Sequence, residues 1–258
     1  MSPCFAWVPR RAIVGTPRHR IRGLLRLSQW KNTGFRPLKI LALDTSTDAC
    51  SVALSVDALV CERLERGQKH SSRILSMVDE VLAESGLSLT QLDALAFGRG
   101  PGSFTGLRIG TGVVQGLGFG ADLPVVPVSS LATLAQGQDA RCVLAAFDAR
   151  MSQVYWGAYL RNADGLVELR GREQVLAPCD VPLPGPEHDW LGAGSGWDTH
   201  AEALRIRLGR RVRDWLPNCF PHARDVARLA RVELDRGAAV TPEQALPVYI
   251  RDEVTKKI

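Results

Sequence analysis

The sequence predicts an α/β protein made of two similar units, each with a mixed sheet, and three observations carry that reading. A strand, a short turn and a returning strand occur twice, at KILALDTSTDACSVALSV (39–56) and RCVLAAFDARMSQVYWGAYL (141–160), and each first strand ends in aspartate, Asp44 and Asp148. Each hairpin is followed by a further strand-like segment, LVCERLERG (59–67) and GLVELRGREQVL (165–176). Helical and strand patterns then alternate.

Taken in order, the first three segments predict an antiparallel meander. In SSRILSMVDEVLAES (71–85), Ile74, Leu75, Val78, Val81 and Leu82 fall on one helical face, Ser71 or Ser72 can cap the start, and Gly86 stands where a terminating glycine belongs. A strand at 93–98 leads into GRGPGSFTGLRIGTGVVQGLGFG (98–120), and LPVVPV (123–128) and SSLATLAQG predict a strand and a short helix. In the second unit, residues 177–189 hold four of the fifteen prolines and read as a loop, WLGAGSGW (190–197) as a strand entering a tight turn, and 222–236 as the last clear helix. The expected organisation is a basic leader over 1–37, a first unit over 38–137 and a smaller second unit over 138–258.

Charge divides the chain in the same way. Residues 1–36 carry eight basic and no acidic residues, so of the net +5 the remainder of the chain carries −3. The body beyond the leader therefore has no net charge to draw a phosphate backbone. The leader itself reads as a start assigned upstream of the true one, a disordered basic tail, or a targeting segment. Six scattered cysteines without a C-x-x-C pair fit a reducing cytoplasm, and no apolar run of membrane-spanning length occurs.

Nine glycines lie within 98–120. A Walker loop fails, because Leu107 and Arg108 stand where Lys and Ser or Thr are needed. The dinucleotide pattern Gly116, Gly118, Ala121 falls at the wrong end of the segment. What remains is a loop at Gly98–Gly102, a cap at Ser103 and a helix with glycines every fourth residue, in one series at 102, 106, 110 and another at 112, 116, 120. Five glycines inside a helix cost roughly 4 to 5 kcal/mol against alanine, so close packing must offset them. The object of that packing, the protein's own sheet or a second subunit, stays open at this level. No pair of histidines has metal-binding spacing, and no G-x-S-x-G occurs. Asp44 and Asp148 are turn residues or, at such strand ends, ligands of a nucleotide-bound metal.

At LALDTST, GRGPGSFTGLRIG and FDARMSQVYWGAY, from Lys39 to LPVYIRDEV near the C terminus, the chain resembles the bacterial TsaB (YeaZ) family. The resemblance implies two RNase H-like domains of the actin, Hsp70 and sugar-kinase superfamily. It implies a non-catalytic subunit that activates TsaD, with TsaE and TsaC, in N6-threonylcarbamoylation of adenosine 37 in tRNAs reading ANN codons. It implies a homodimer when the chain is alone, no tightly bound cofactor, and ATP or ADP at most at the complex interface, while the −3 balance of the body predicts tRNA contact only through the complex. Ser130 and Leu134 stand where the catalytic relative has metal-binding histidines, so no metal and no catalytic residue are expected. The subunit contact is expected on helices 71–85 and 104–120, with Met77, Val81, Gly110, Val113, Val114 and Leu117 facing out. Asp44, Thr45, Ser46 and Asp148 are the candidates for facing a nucleotide if the chain is instead an actin-like ATPase or kinase; a metallopeptidase lacks its histidines.

Overall fold

Two five-stranded sheets organise the residues that the computed structural model describes, 37–57, 59–67, 70–185 and 189–251. The basic leader lies outside them.

The first sheet contains β1 (Lys39–Asp44), β2 (Ala49–Val56), β3 (Leu59–Arg66), β4 (Ala94–Gly100) and β5 (Val125–Ser129). The second contains β6 (Cys142–Asp148), β7 (Val154–Arg161), β8 (Val167–Leu176), β9 (Trp190–Ala193) and β10 (Val212–Leu216). Spatial order is β3-β2-β1-β4-β5 in one and β8-β7-β6-β9-β10 in the other. The first three strands of each sheet pair antiparallel and the last two join in parallel, so the duplication read from the hairpins extends to whole sheets.

Five helices cover the faces: α1 (His70–Ser85), α2 (Phe104–Ala121), α3 (Ser130–Gln136), α4 (Ser195–Leu208) and α5 (Ala223–Asp235). Alternation along the strands assigns each its side. Ile40 and Ala42 of β1 pack with Val226, Ala227 and Ala230 of α5, while Leu43 faces Gly110 of α2. The last helix thus returns from the second unit to close the first sheet. In the second sheet Leu144, Trp156 and Trp190 meet Trp197, Leu204 and Leu208 of α4, and Val143, Ala145 and Tyr159 meet Leu131 and Leu134 of α3.

Helix ends follow their local chemistry. Ser103 caps α2, its Oγ accepting the Gly106 N–H at 3.3 Å. Gly86 ends α1 at φ 68°, and the Leu87 N–H reaches back to the Leu82 carbonyl. The start of α1 differs from expectation: it begins at His70, which places Ser71 and Ser72 inside the first turn rather than at the cap. Sequence patterning misses α4 and β10. Helix α4 opens on Ser-Gly-Trp after a turn at Gly194 (φ 102°), kinks at His200, and ends in arginines that obscure its apolar stripe.

Candidate functional site

The two sequence blocks that stand out, DTST and GPGSFTG, are stapled to one another. The Thr45 hydroxyl donates to the Gly106 carbonyl at 2.7 Å, and the Ser103 N–H donates to the Ser46 carbonyl at 2.7 Å. A β-carbon at Gly106 would stand 2.0 Å from the Thr45 carbonyl oxygen, one at Gly102 2.2 Å from that of Ser46, and one at Gly110 2.5 Å from the Thr45 hydroxyl. The series 102, 106, 110 therefore lets the start of α2 lie directly on the β1–β2 turn.

The second series behaves in the opposite way. Among the described residues, nothing lies within 4 Å of where a β-carbon of Gly112, Gly116 or Gly120 would be. Ile109 and Val113 flank them, half-buried, and Phe119 stands 63% exposed at the edge. A third strip of α2 is covered by the C-terminal segment: Pro242 sits against Gly118, Tyr249 packs on Phe104, and Gln115 donates to the Ala245 carbonyl. What is left is an uncovered arc of about a third of the helix circumference, smooth because its i, i+4 row is glycine. On the neighbouring helix α1, Leu75 is 53% exposed.

This placement corrects the expected contact residues. Met77, Val81, Gly110 and Val114 point into the protein's own core. Val113 borders the open arc, and Leu117 is half-buried at its other margin. The residues of α2 that do face outward, Gly112 and Gly116, were not in the expected set. The signal was the second glycine series, offset from the first by ten residues and hence on another face.

The expected nucleotide-facing group is corrected as well. Asp44, Thr45 and Ser46 are each 1% exposed. The Asp44 carboxylate accepts from the Ser46 N–H and hydroxyl at 2.9 and 2.8 Å, and from the Ser130 hydroxyl at 3.3 Å. Burial pushes its pKa above the usual carboxylate range, against the lowering effect of the Ser46 N–H. Gly98, whose β-carbon would overlap Asp44 Oδ2, closes the remaining side. Asp148, its counterpart at the end of β6, is half-buried and accepts from the Arg150 N–H at 3.1 Å, with His200 Nε2 at 3.4 Å. The two aspartates occupy equivalent strand ends, but the chemistry of an open, metal-holding pair is lost at Asp44.

A metal fits no better at the positions of the relative's histidines. Ser130 Oγ is engaged with Asp44 and the Gly100 N–H, and Leu134 is part of the apolar cluster under the second sheet. Among the described residues no three His, Cys, Asp or Glu side chains converge on one point, and no helix is long and apolar enough to cross a membrane.

Duplicated sheets in the order third, second, first, fourth, fifth strand, with an aspartate at the end of each first strand, define an actin-like α/β protein, here with its first aspartate sealed. The family described as TsaD, tRNA N6-adenosine threonylcarbamoyltransferase, matches residues 65–187. The tRNA threonylcarbamoyladenosine biosynthesis protein TsaB of Escherichia coli is 44% identical over 227 residues, covering 85% of this chain and 97% of that protein. Its counterpart in Haemophilus influenzae is 42% identical over 233 residues, covering 85% and 96%. The structure of YeaZ from Pseudomonas aeruginosa superposes with a TM-score of 0.77 at 47% identity, covering 82% of this chain and 99% of that one. The chain belongs to the TsaB (YeaZ) family.

Proposed function

We propose that this chain is a non-catalytic subunit in the biosynthesis of threonylcarbamoyladenosine in tRNA, pairing with TsaD through the open arc of α2 and the exposed edge of α1, and serving TsaD and TsaE in modification of adenosine 37. The single observation that carries the reading is the uncovered glycine row Gly112, Gly116, Gly120: glycines inside a helix each cost about 1 kcal/mol, and among the described residues nothing packs there to offset it. A partner helix that approaches closely supplies the missing contact, and in the isolated chain a second copy takes its place. The sealed Asp44 and the Ser130 and Leu134 substitutions support a role without chemistry of its own. On this reading the isolated chain holds no cofactor tightly, and ATP or ADP belongs to the assembled complex.

Sedimentation of the chain alone and mixed with TsaD, as wild type and as Gly116→Leu, tests the proposal. Wild type is expected to form a mixed complex and the variant to stay folded by circular dichroism without forming it. A variant that still pairs rules out this surface. Mg²⁺-dependent ATP turnover by the isolated chain would instead establish the ATPase or kinase reading.

A further inference from the structure

Between the end of β5, the edge strand β8 and helix α5 lies a cleft of about 670 Å³. Leu229 and Val232 of α5, Leu166 and Val167 where the chain enters β8, and Val128 of β5 supply its apolar lining. A concave space of this size, with apolar walls and a few fixed polar groups, is the form that small-molecule sites take.

The polar centre of the cleft joins strands of both sheets. Glu173 of β8 accepts from the Ser129 hydroxyl at the end of β5 and from the Tyr159 hydroxyl of β7, both on Oε1. Ser129 also caps α3, accepting the Ala132 N–H at 3.1 Å, and Tyr159 is 1% exposed. Burial and the Glu173 charge hold the Tyr159 phenol well above the usual tyrosine range, so it stays a donor. Two hydroxyls thus fix Oε1, while Oε2 of this half-buried residue receives no hydrogen bond among the described residues. Arg99 lines the same cleft. It stands on β4 next to Gly100, the register partner of Ser129, and its charge acts on the Tyr159 phenol. Arg99 is half-buried, and its guanidinium makes no hydrogen bond or ion pair among the described residues, Glu173 included. The other charges of the lining are engaged or outermost: Glu233 pairs with Arg236 at 2.8 Å, Glu168 accepts from the Asn162 amide at 3.0 Å, and Arg172 is exposed.

A half-buried carboxylate oxygen and a half-buried guanidinium that line one cleft without pairing form an opened ion pair, and each loses hydration without gaining a partner. A guest satisfies both only if it carries an anion and a cation close together, beside an apolar body. We propose that the cleft binds a free α-amino acid with a bulky apolar side chain. Its carboxylate meets the Arg99 fork, its ammonium meets Glu173 Oε2, and its side chain lies against Leu229 and Val232. Arg99 and Ser129 belong to the first sheet and Glu173 and Tyr159 to the second, so the guest bridges the two sheets and stabilises the folded chain in step with its occupancy. This site is independent of the pairing with TsaD.

Titration of the full chain, isotopically labelled, with L-phenylalanine and followed by heteronuclear NMR tests this. Saturable shifts are expected at the amides of Arg99, Ser129, Glu173 and Val232, with a Kd of about 0.1 to 1 mM for a ligand of this size. Phenylpropanoate lacks the ammonium, phenylethylamine lacks the carboxylate and glycine lacks the apolar body; each should bind about tenfold more weakly or worse. Glu173→Gln keeps an acceptor for the two hydroxyls, and this variant and Arg99→Gln should each weaken L-phenylalanine about tenfold. Both should keep the melting temperature of the ligand-free chain and complex formation with TsaD. The assignment is overturned if saturating L-phenylalanine shifts none of these amides, if either singly charged analogue binds as tightly as the amino acid, or if both variants keep wild-type affinity. The analogue series uses wild-type protein, so it decides the question even where a variant fails to fold.

Discussion

Asp44 accepts from one backbone N–H and two hydroxyls, which favour its charge, but at 1% exposure burial outweighs them and disfavours the ionised form. Its folded pKa is raised by burial, so the stabilisation it gives is complete below the ordinary carboxyl value of 3.8 and is lost as pH rises through the folded value. Asp44→Asn keeps an acceptor for Ser46 and places an amide against the Ser130 hydroxyl without a charge. Urea denaturation from pH 4 to 8 should find the asparagine variant as stable as wild type or more so at pH 8, with a flatter pH dependence. Asp44→Ala leaves the Ser46 N–H unpaired and should cost about 1 to 3 kcal/mol. A different residue-scale prediction concerns Gly106, where a methyl group meets a backbone oxygen that cannot rotate away. Gly106→Ala should lose about 2 to 3 kcal/mol in the same assay.

At the scale of elements, α2 has three sides with three different covers: the β1–β2 turn, the C-terminal segment, and nothing. Alanine on the third side gains helix propensity without meeting any atom of the described residues. Gly112→Ala and Gly116→Ala should therefore each raise the stability of the isolated chain by about 0.8 to 1 kcal/mol, measured by denaturation, while titration calorimetry with TsaD shows weaker association. Stabilisation without a loss of affinity would show that the row is not a contact. Much of this helix was legible in the sequence: its cap at Ser103, its limits and its paired glycine series. Which series faced inward was not, since a four-residue repeat fixes a face relative to itself and not relative to the sheet. The same limit explains why Met77 and Val81, apolar and at helical spacing, were read as outward-facing when they are core. Helix α4 was illegible for a different reason, because its buried positions Trp197, Leu204 and Leu208 are spaced across a kink and an exposed apolar residue, Ile206, blurs the stripe they make.

For the whole molecule, the duplicated strand order was readable from two hairpins that end in aspartate, but the return of α5 to the first sheet was not, because nothing local distinguishes a helix that packs on its own unit from one that packs on the other. Its consequence is that a cut between 137 and 138 strips the first sheet of Val226, Ala227 and Ala230, the apolar side chains that cover Ile40 and Ala42. A fragment of residues 37–137 should not fold by itself and should be rescued by co-expression of 138–258; native-like heteronuclear spectra from the first fragment alone would contradict this. The staple between the β1–β2 turn and the start of α2 also sets an order of events in time. Its hydrogen bond joins residues 61 positions apart, and the helix it anchors is too rich in glycine to nucleate unaided. Pulsed hydrogen exchange during refolding should find the amides of 112–120 protected only after those of β1 and β2, so that α2 is a late product of the sheet and any TsaD-competent surface is absent from early folding species.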